Sequence, residues 1–153
     1  MTDEEINKRI KRFETLFLEK GLTKLASYEL LNLANRFTKI EKSFQEKHAD
    51  TLISKKIAII SSSTSYYFKQ ILSLFLYQEG IAVMFYEAEF GSIFEQILNE
   101  RSELYSFTPD ILLILPDYRD VKESPPLFST YDEIETWVNS QYLVYKNLWS
   151  RIL

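Results

Sequence analysis

The sequence contains no cysteine and a single histidine, His48. Disulfides, thiolate chemistry and cysteine-ligated zinc are therefore excluded, and the usual histidine cluster of a catalytic metal site is missing. Glycine is nearly as scarce, three in 153 residues, and no Gly-rich phosphate loop, Walker pattern or paired Asp-x-Asp motif occurs. No apolar run approaches the roughly 18 residues that span a bilayer. The first twenty residues are charged rather than apolar, unlike a secretory signal. An excess of positive charge is lacking too. The net charge of −4 gives no global electrostatic ground for binding nucleic acid, whose phosphates demand clustered cations. These absences point to a cytoplasmic protein with no nucleic-acid or membrane partner, and they imply no cofactor and no metal.

Apolar residues are what the chain has in quantity. Hydrophobic residues make up 46% of it and aromatics 15%, which argues for a packed globule rather than disorder. Thr2-Asp3-Glu4-Glu5 has the spacing of a capping box, and Ile6, Ile10, Phe13 and Phe17 continue it as one helical stripe, with Gly21 placed as the C-terminal stop. Leu30, Leu33, Phe37, Ile40 and Phe44 predict a second helix over 27–48. The two helices form a hairpin whose stripes pack on each other, on a sheet, or on a second copy of the chain as a homodimer.

At Ile57 the period changes. Ile57 to Ile60 is short, continuous and rich in β-branched residues, which suits a strand buried on both faces. Helix signals resume at Phe68, Ile71, Leu72, Phe75 and Leu76 and close at Gly80. A second strand follows over 81–86, then a helix through Ile93, Phe94, Ile97 and Leu98, then a third strand over 111–115. Strand and helix alternate as in a parallel sheet with helices on both faces. The segment from Asp117 to Thr130 reads as extended. Thr130-Tyr131-Asp132-Glu133 is a second capping box, opening a last helix through Ile134, Trp137, Val138, Tyr142, Tyr145, Leu148 and Trp149. Three strands make a thin sheet, so a further strand is expected from a partner or from a longer chain.

Open α/β sheets bind ligands at the carboxyl ends of their strands. The first strand ends in Ser61-Ser62-Ser63-Thr64-Ser65. These five hydroxyl residues are either a nucleophile or anion cradle at a helix N-terminus, or a helix cap at Ser63 or Thr64. Glu87 and Glu89 follow the second strand, where they act at the site or favour the start of the next helix. Gly91 either supplies an oxyanion N–H or serves the turn. Asp117-Tyr118-Arg119-Asp120 follows the third strand and brings two carboxylates and a guanidinium to the same rim. A catalytic serine needs a base, and His48 reads as a solvated surface residue at the end of a helix.

The order of segments resembles the amino-terminal region of FkbH-like proteins over roughly residues 50 to 120. The resemblance rests on Ala58-Ile59-Ile60-Ser61-Ser62-Ser63-Thr64, Glu79-Gly80-Ile81, Tyr86-Glu87-Ala88-Glu89-Phe90-Gly91, Glu95-Gln96-Ile97-Leu98, Ser102-Glu103-Leu104-Tyr105-Ser106-Phe107 and Pro109-Asp110-Ile111-Leu112-Leu113-Ile114. It implies an α/β three-layer sandwich of flavodoxin or SGNH-hydrolase type with a small parallel sheet, over 51–153, preceded by the helical hairpin of 1–50. In such proteins a haloacid-dehalogenase-type (HAD-type) phosphatase domain takes a glyceryl unit from 1,3-bisphosphoglycerate. The unit then passes to the phosphopantetheine arm of an acyl carrier protein for polyketide assembly. The SGNH pattern places Ser63 near the nucleophile, Gly91 near the second-block glycine and Asp117 near the third-block asparagine. Ser62, Thr64, Glu87 and Arg119 are then candidate ligand contacts. The sequence departs from that pattern in having Ser61 or Ser62 where glycine precedes the nucleophile, and in lacking an Asp-x-x-His pair after Asp117. Those departures favour carrier-protein recognition or positioning over an esterase or acyltransferase using Ser63, with a structural or oligomerisation module as a third reading.

Overall fold

Ile57, Ala58, Ile59 and Ile60 are all buried, so this run has no polar face to turn outward and takes the middle of a sheet. The structure is a computed structural model and describes residues 2–121 and 123–152. Its elements in chain order are α1 (Asp3–Leu18), α2 (Ser27–Phe37), α3 (Glu41–Lys47), β1 (Ile53–Ser61), α4 (Tyr66–Gln78), β2 (Ile81–Glu87), α5 (Ile93–Leu98), α6 (Glu103–Phe107), β3 (Ile111–Leu115) and α7 (Tyr131–Ile152). The sheet is parallel with strand order β2-β1-β3, and Ile57 to Ser61 pair in register with Ile111 to Leu115. The fold is the anticipated α/β sandwich with helices flanking the sheet and a helical N-terminal region. The chain divides into two compact units, Met1–Lys56 with Ser65–Met84, and Ile57–Thr64 with Phe85–Leu153.

In the first unit the Thr2 capping box forms as its spacing predicts. The Glu5 N–H donates to Thr2 Oγ1 (3.4 Å) and the Thr2 N–H donates to Glu5 Oε2 (3.2 Å). Gly21 is not the helix stop. The left-handed residue after α1 is Lys20, with φ 46°. Gly21 instead allows a close approach: a Cβ there would sit 2.7 Å from Leu16 Cδ1, so the Leu16 side chain would have to shift to admit one. Gly80, at φ 77°, does take the left-handed position that ends α4.

The helix expected over 27–48 is two helices. Thr38 Oγ1 donates back to the Ala34 carbonyl (3.0 Å) and the Ile40 N–H reaches the Phe37 carbonyl (2.8 Å), three residues back. That tightened turn redirects the chain while Phe37, Ile40 and Phe44 all stay buried. Phe37 is the hub of the core: its ring lies 5.0 Å from Phe13, 5.6 Å from Phe17, 5.4 Å from Phe44 and 4.9 Å from Tyr77, all near edge-on. Of this stripe the chain buries Phe37, Ile40 and Phe44 itself, while Leu30 and Leu33 are only partly covered. His48 is half-buried rather than solvated, with Nε2–H donating to Glu14 Oε1 (2.8 Å) and its ring 4.5 Å from that of Phe44.

The second unit buries Ala58, Ile60, Ile93, Ile97, Leu104 and Leu148 together. The Ser102-to-Phe107 run, not anticipated as helix, is α6, and it fastens the end of α5. Ser102 Oγ donates to the Gln96 carbonyl and Tyr105 Oη to the Ile97 carbonyl, both at 2.7 Å. These are carbonyls that the end of a helix leaves without partners. Thr130 and Glu133 form the second capping box, opening α7. The segment after β3 is not extended throughout, because Tyr118–Asp120 forms a 3₁₀ turn.

Two stability outcomes follow from the first unit. Phe37→Ala removes the ring that four others touch, and urea unfolding should show a loss of about 3–5 kcal/mol; a loss below about 1 kcal/mol would deny the ring its central role. The second concerns Glu41, whose carboxylate accepts from Ser73 Oγ (2.9 Å). Burial pushes the Glu41 carboxyl above its ordinary value, against the hydrogen bond from Ser73. With the folded-state value raised, ionisation opposes folding at neutral pH, and the penalty fades as pH falls through that value toward the ordinary one. Glu41→Gln keeps an acceptor for Ser73 and should raise the urea midpoint at pH 7, with a smaller gain at pH 5. A lowered midpoint at pH 7 would contradict the assignment.

Candidate functional site

The site is built at the carboxyl end of β1, within the second unit. Here the ladder ends and the backbone groups of Ser61 and Ser62 need partners. The Ser62 N–H takes the Leu115 carbonyl at the end of β3 (3.2 Å), and the Ser61 carbonyl takes the Gly91 N–H (3.2 Å). Gly91 has φ 74°, a conformation that favours glycine, and its N–H is engaged in this bond. Ser61 Oγ closes a tight local loop, donating to the Ser63 carbonyl (2.7 Å) and accepting from the Ser63 N–H (3.1 Å). The Gly91 N–H, the candidate oxyanion donor, thus has a partner inside the protein, and so does the Ser63 N–H.

Asp117, at the end of β3, folds the Tyr118–Asp120 turn around its own carboxylate, which accepts the Arg119 N–H at 2.8 Å. This side-chain-to-backbone turn is one that aspartate favours. The same carboxylate takes the Arg119 guanidinium through Nε (2.9 and 3.1 Å) and through Nη2. Arg119 Nη2 also donates to the Ser62 carbonyl (2.5 Å), and the guanidinium lies over the Phe90 ring, 5.1 Å from its centroid. The guanidinium beside Asp117 holds the carboxyl below the usual aspartate range, and Asp117 in turn raises Arg119. Asp120 completes the rim: Oδ1 accepts from Ser62 Oγ (2.7 Å) and Oδ2 from the Asp117 N–H (2.6 Å).

Of the residues singled out from the sequence, Ser62, Asp117 and Arg119 are joined directly, and Gly91 is joined through Ser61. Ser63 and Thr64 are exposed, and neither hydroxyl makes a hydrogen bond with a described residue. The helix cap lies beyond both, at Ser65, whose side chain makes no capping bond. Glu87 ends β2 and is exposed. Asp120, the second carboxylate anticipated after the third strand, is part of the rim, and Phe90 and Tyr145 belong to it as well without an individual signal in the sequence. The Tyr145 hydroxyl is buried without a hydrogen-bond partner; burial raises its pKa, and the carboxylates of Asp120 and Asp117 add to the rise.

The arrangement holds a guanidinium rigidly and leaves part of it open. Arg119 uses its backbone N–H, Nε and Nη2 in these bonds, and Nη1 bonds to no described residue. Its side chain is 49% exposed. The rim therefore offers donors to an anion. The only histidine, His48, belongs to the first unit and is committed to Glu14, so the second unit has no imidazole to activate Ser63. Among the described residues, no three of His, Asp and Glu are grouped to hold a metal.

No family model matches the sequence, and no curated protein matches it. Among solved structures, the fold is similar to the N-terminal part of the protein BF1531 from Bacteroides fragilis, which contains a phosphatase domain complexed with Mg. The likeness has a TM-score of 0.57 at 16% identity and covers 81% of this chain. The chain spans only 30% of the length of that neighbour, so what is shared is the fold.

Proposed function

We propose that this chain is an SGNH-like accessory domain of FkbH-type glyceryl transfer in polyketide biosynthesis, recognising or positioning an acyl carrier protein rather than performing chemistry itself. The observation that carries this reading is the fixed, half-open guanidinium of Arg119 beside the unengaged hydroxyls of Ser63 and Thr64. A phosphopantetheine arm joins its carrier through a phosphodiester, and a pre-oriented guanidinium with free N–H donors suits such an anion. A nucleophilic role for Ser63 is less well supported, since its hydroxyl has no base and the rim carboxylates already accept from Arg119, Ser62 and backbone.

The surface of the second unit supports a partner-binding role. Leu127 and Phe128, which follow the Asp117–Asp120 turn, are almost wholly exposed, and α7 exposes Ile134, Val138 and Tyr142. Apolar side chains gathered at a surface commonly mark protein-binding sites. A HAD-type phosphatase domain is the second partner in this reading, in keeping with a fold neighbour taken from a phosphatase-containing protein. No described helix is long and apolar enough to cross a membrane.

Titration of the ¹⁵N-labelled protein with phosphopantetheinylated carrier protein from the same pathway checks the proposal. Saturable shifts are expected at Ser62, Ser63, Gly91 and the Arg119 side chain, and Arg119→Gln should weaken binding roughly tenfold, equal to about 1.4 kcal/mol. Absence of binding, or binding unchanged by Arg119→Gln, would overturn it.

A further inference from the structure

The first unit carries an arginine-lined cavity that shares no residue with the strand-end rim. Along α1, Arg9, Arg12, Phe13 and Leu16 recur at spacings of three, one and three, which places them on one helical face. Along α2, Leu33 and Arg36 are three apart and share a face in the same way. Both faces line one cavity of about 390 Å³, within the size range of small-molecule sites. Leu25, between the helices, closes its floor with Phe13, Leu16 and Leu33.

The charges of this cavity are unbalanced. Three guanidiniums, Arg9, Arg12 and Arg36, line it against one carboxylate, Glu19, and none of the three makes an ion pair with a described residue. Three further carboxylates on these helices have partners away from the cavity, Glu5 accepting the Thr2 N–H at 3.2 Å. Glu14 accepts from Lys47 and His48 at 2.9 and 2.8 Å, and Glu29 accepts the Ala26 N–H at 2.9 Å. Unpaired arginines on an open helix face would ordinarily be solvated. Here they rim an apolar floor on which Leu16, Leu25 and Leu33 are only partly covered by the protein.

From this juxtaposition we infer that the cavity binds a small amphipathic anion, its aliphatic body on Phe13, Leu16, Leu25 and Leu33 and its carboxylate or phosphate head at Arg9, Arg12 and Arg36. Guanidinium pairs bidentately with either head group. Gly21 sets the depth of the floor: a Cβ there would press on Leu16 Cδ1, at 2.7 Å. Its backbone lies outside the left-handed region, so alanine is tolerated and displaces the Leu16 side chain into the cavity.

The test is a titration of the ¹⁵N-labelled protein with sodium octanoate and with octyl phosphate, beside 1-octanol and inorganic phosphate as body-only and head-only probes. Saturable shifts are expected at Arg9, Arg12, Leu16, Gly21, Leu33 and Arg36 with at least one of the two amphiphiles, and binding at least about tenfold weaker for either fragment. Arg12→Ala and Arg36→Ala replace exposed side chains and should leave the fold intact while weakening binding about fivefold or more. Gly21→Ala should weaken it with little change in unfolding midpoint. Equal binding of octanol would show a merely greasy surface and overturn the inference, as would equal binding of inorganic phosphate. So would shifts produced at this face only by an acidic amphipathic peptide, which would make it a protein-docking groove.

Discussion

The second unit depends on how the backbone of Ser61 and Ser62 is satisfied once β1 has run out of partners. An interior strand that ends in small residues leaves its last peptide groups buried, and buried peptide groups that stay unpaired cost about 1–3 kcal/mol each. Three separate segments supply the partners: Leu115 from β3, Gly91 from the turn after β2, and Arg119 from the turn after β3. The rim is thus a consequence of the sheet. Asp117 and Asp120 hold Arg119 and Ser62 in place, and Phe90 lies beneath the guanidinium. What remains for a ligand is the unused part of Arg119 with the outward hydroxyls of Ser63 and Thr64.

The first unit rests on a different device. With little glycine and no disulfide to constrain them, three short helices and α4 are held by interlocking rings around Phe37. Aromatic pairs in tilted and edge-on geometry add roughly 0.5–1.5 kcal/mol each beyond the area they bury. Glu41 sits against that burial as a carboxylate kept near Ser73 and Tyr77. Its raised pKa marks a place where packing has won over charge solvation.

Much of the fold was legible because its signals are local. A continuous β-branched run identified β1, two Thr-x-x-Glu boxes identified the starts of α1 and α7, and Gly80 identified the end of α4. Misreadings arose where a local rule met a tertiary demand. Apolar spacing of three and four continues through Thr38 to Ile40, so the periodicity gave no sign of the break that the Thr38 hydroxyl stabilises. Gly21 looked like a cap, whereas its lack of a side chain serves Leu16 and Lys20 takes the left-handed turn. At the site, strand-end position was enough to bring Ser62, Asp117, Arg119 and Gly91 forward. Nothing local could announce Phe90 under the guanidinium or Tyr145 beside the carboxylates, since those pairings exist only after the chain is folded. The Ser102-to-Phe107 run, distinctive in sequence, proves to have a plain physical use in closing the end of α5.

The central claim is that the strand-end rim recognises a ligand through Arg119 and does not use Ser63 as a nucleophile. Treatment of the native protein with a fluorophosphonate, followed by peptide mass spectrometry, tests it directly. The account predicts no adduct at Ser63 beyond the background of other exposed serines. A stoichiometric Ser63 adduct that disappears in Ser63→Ala would contradict it.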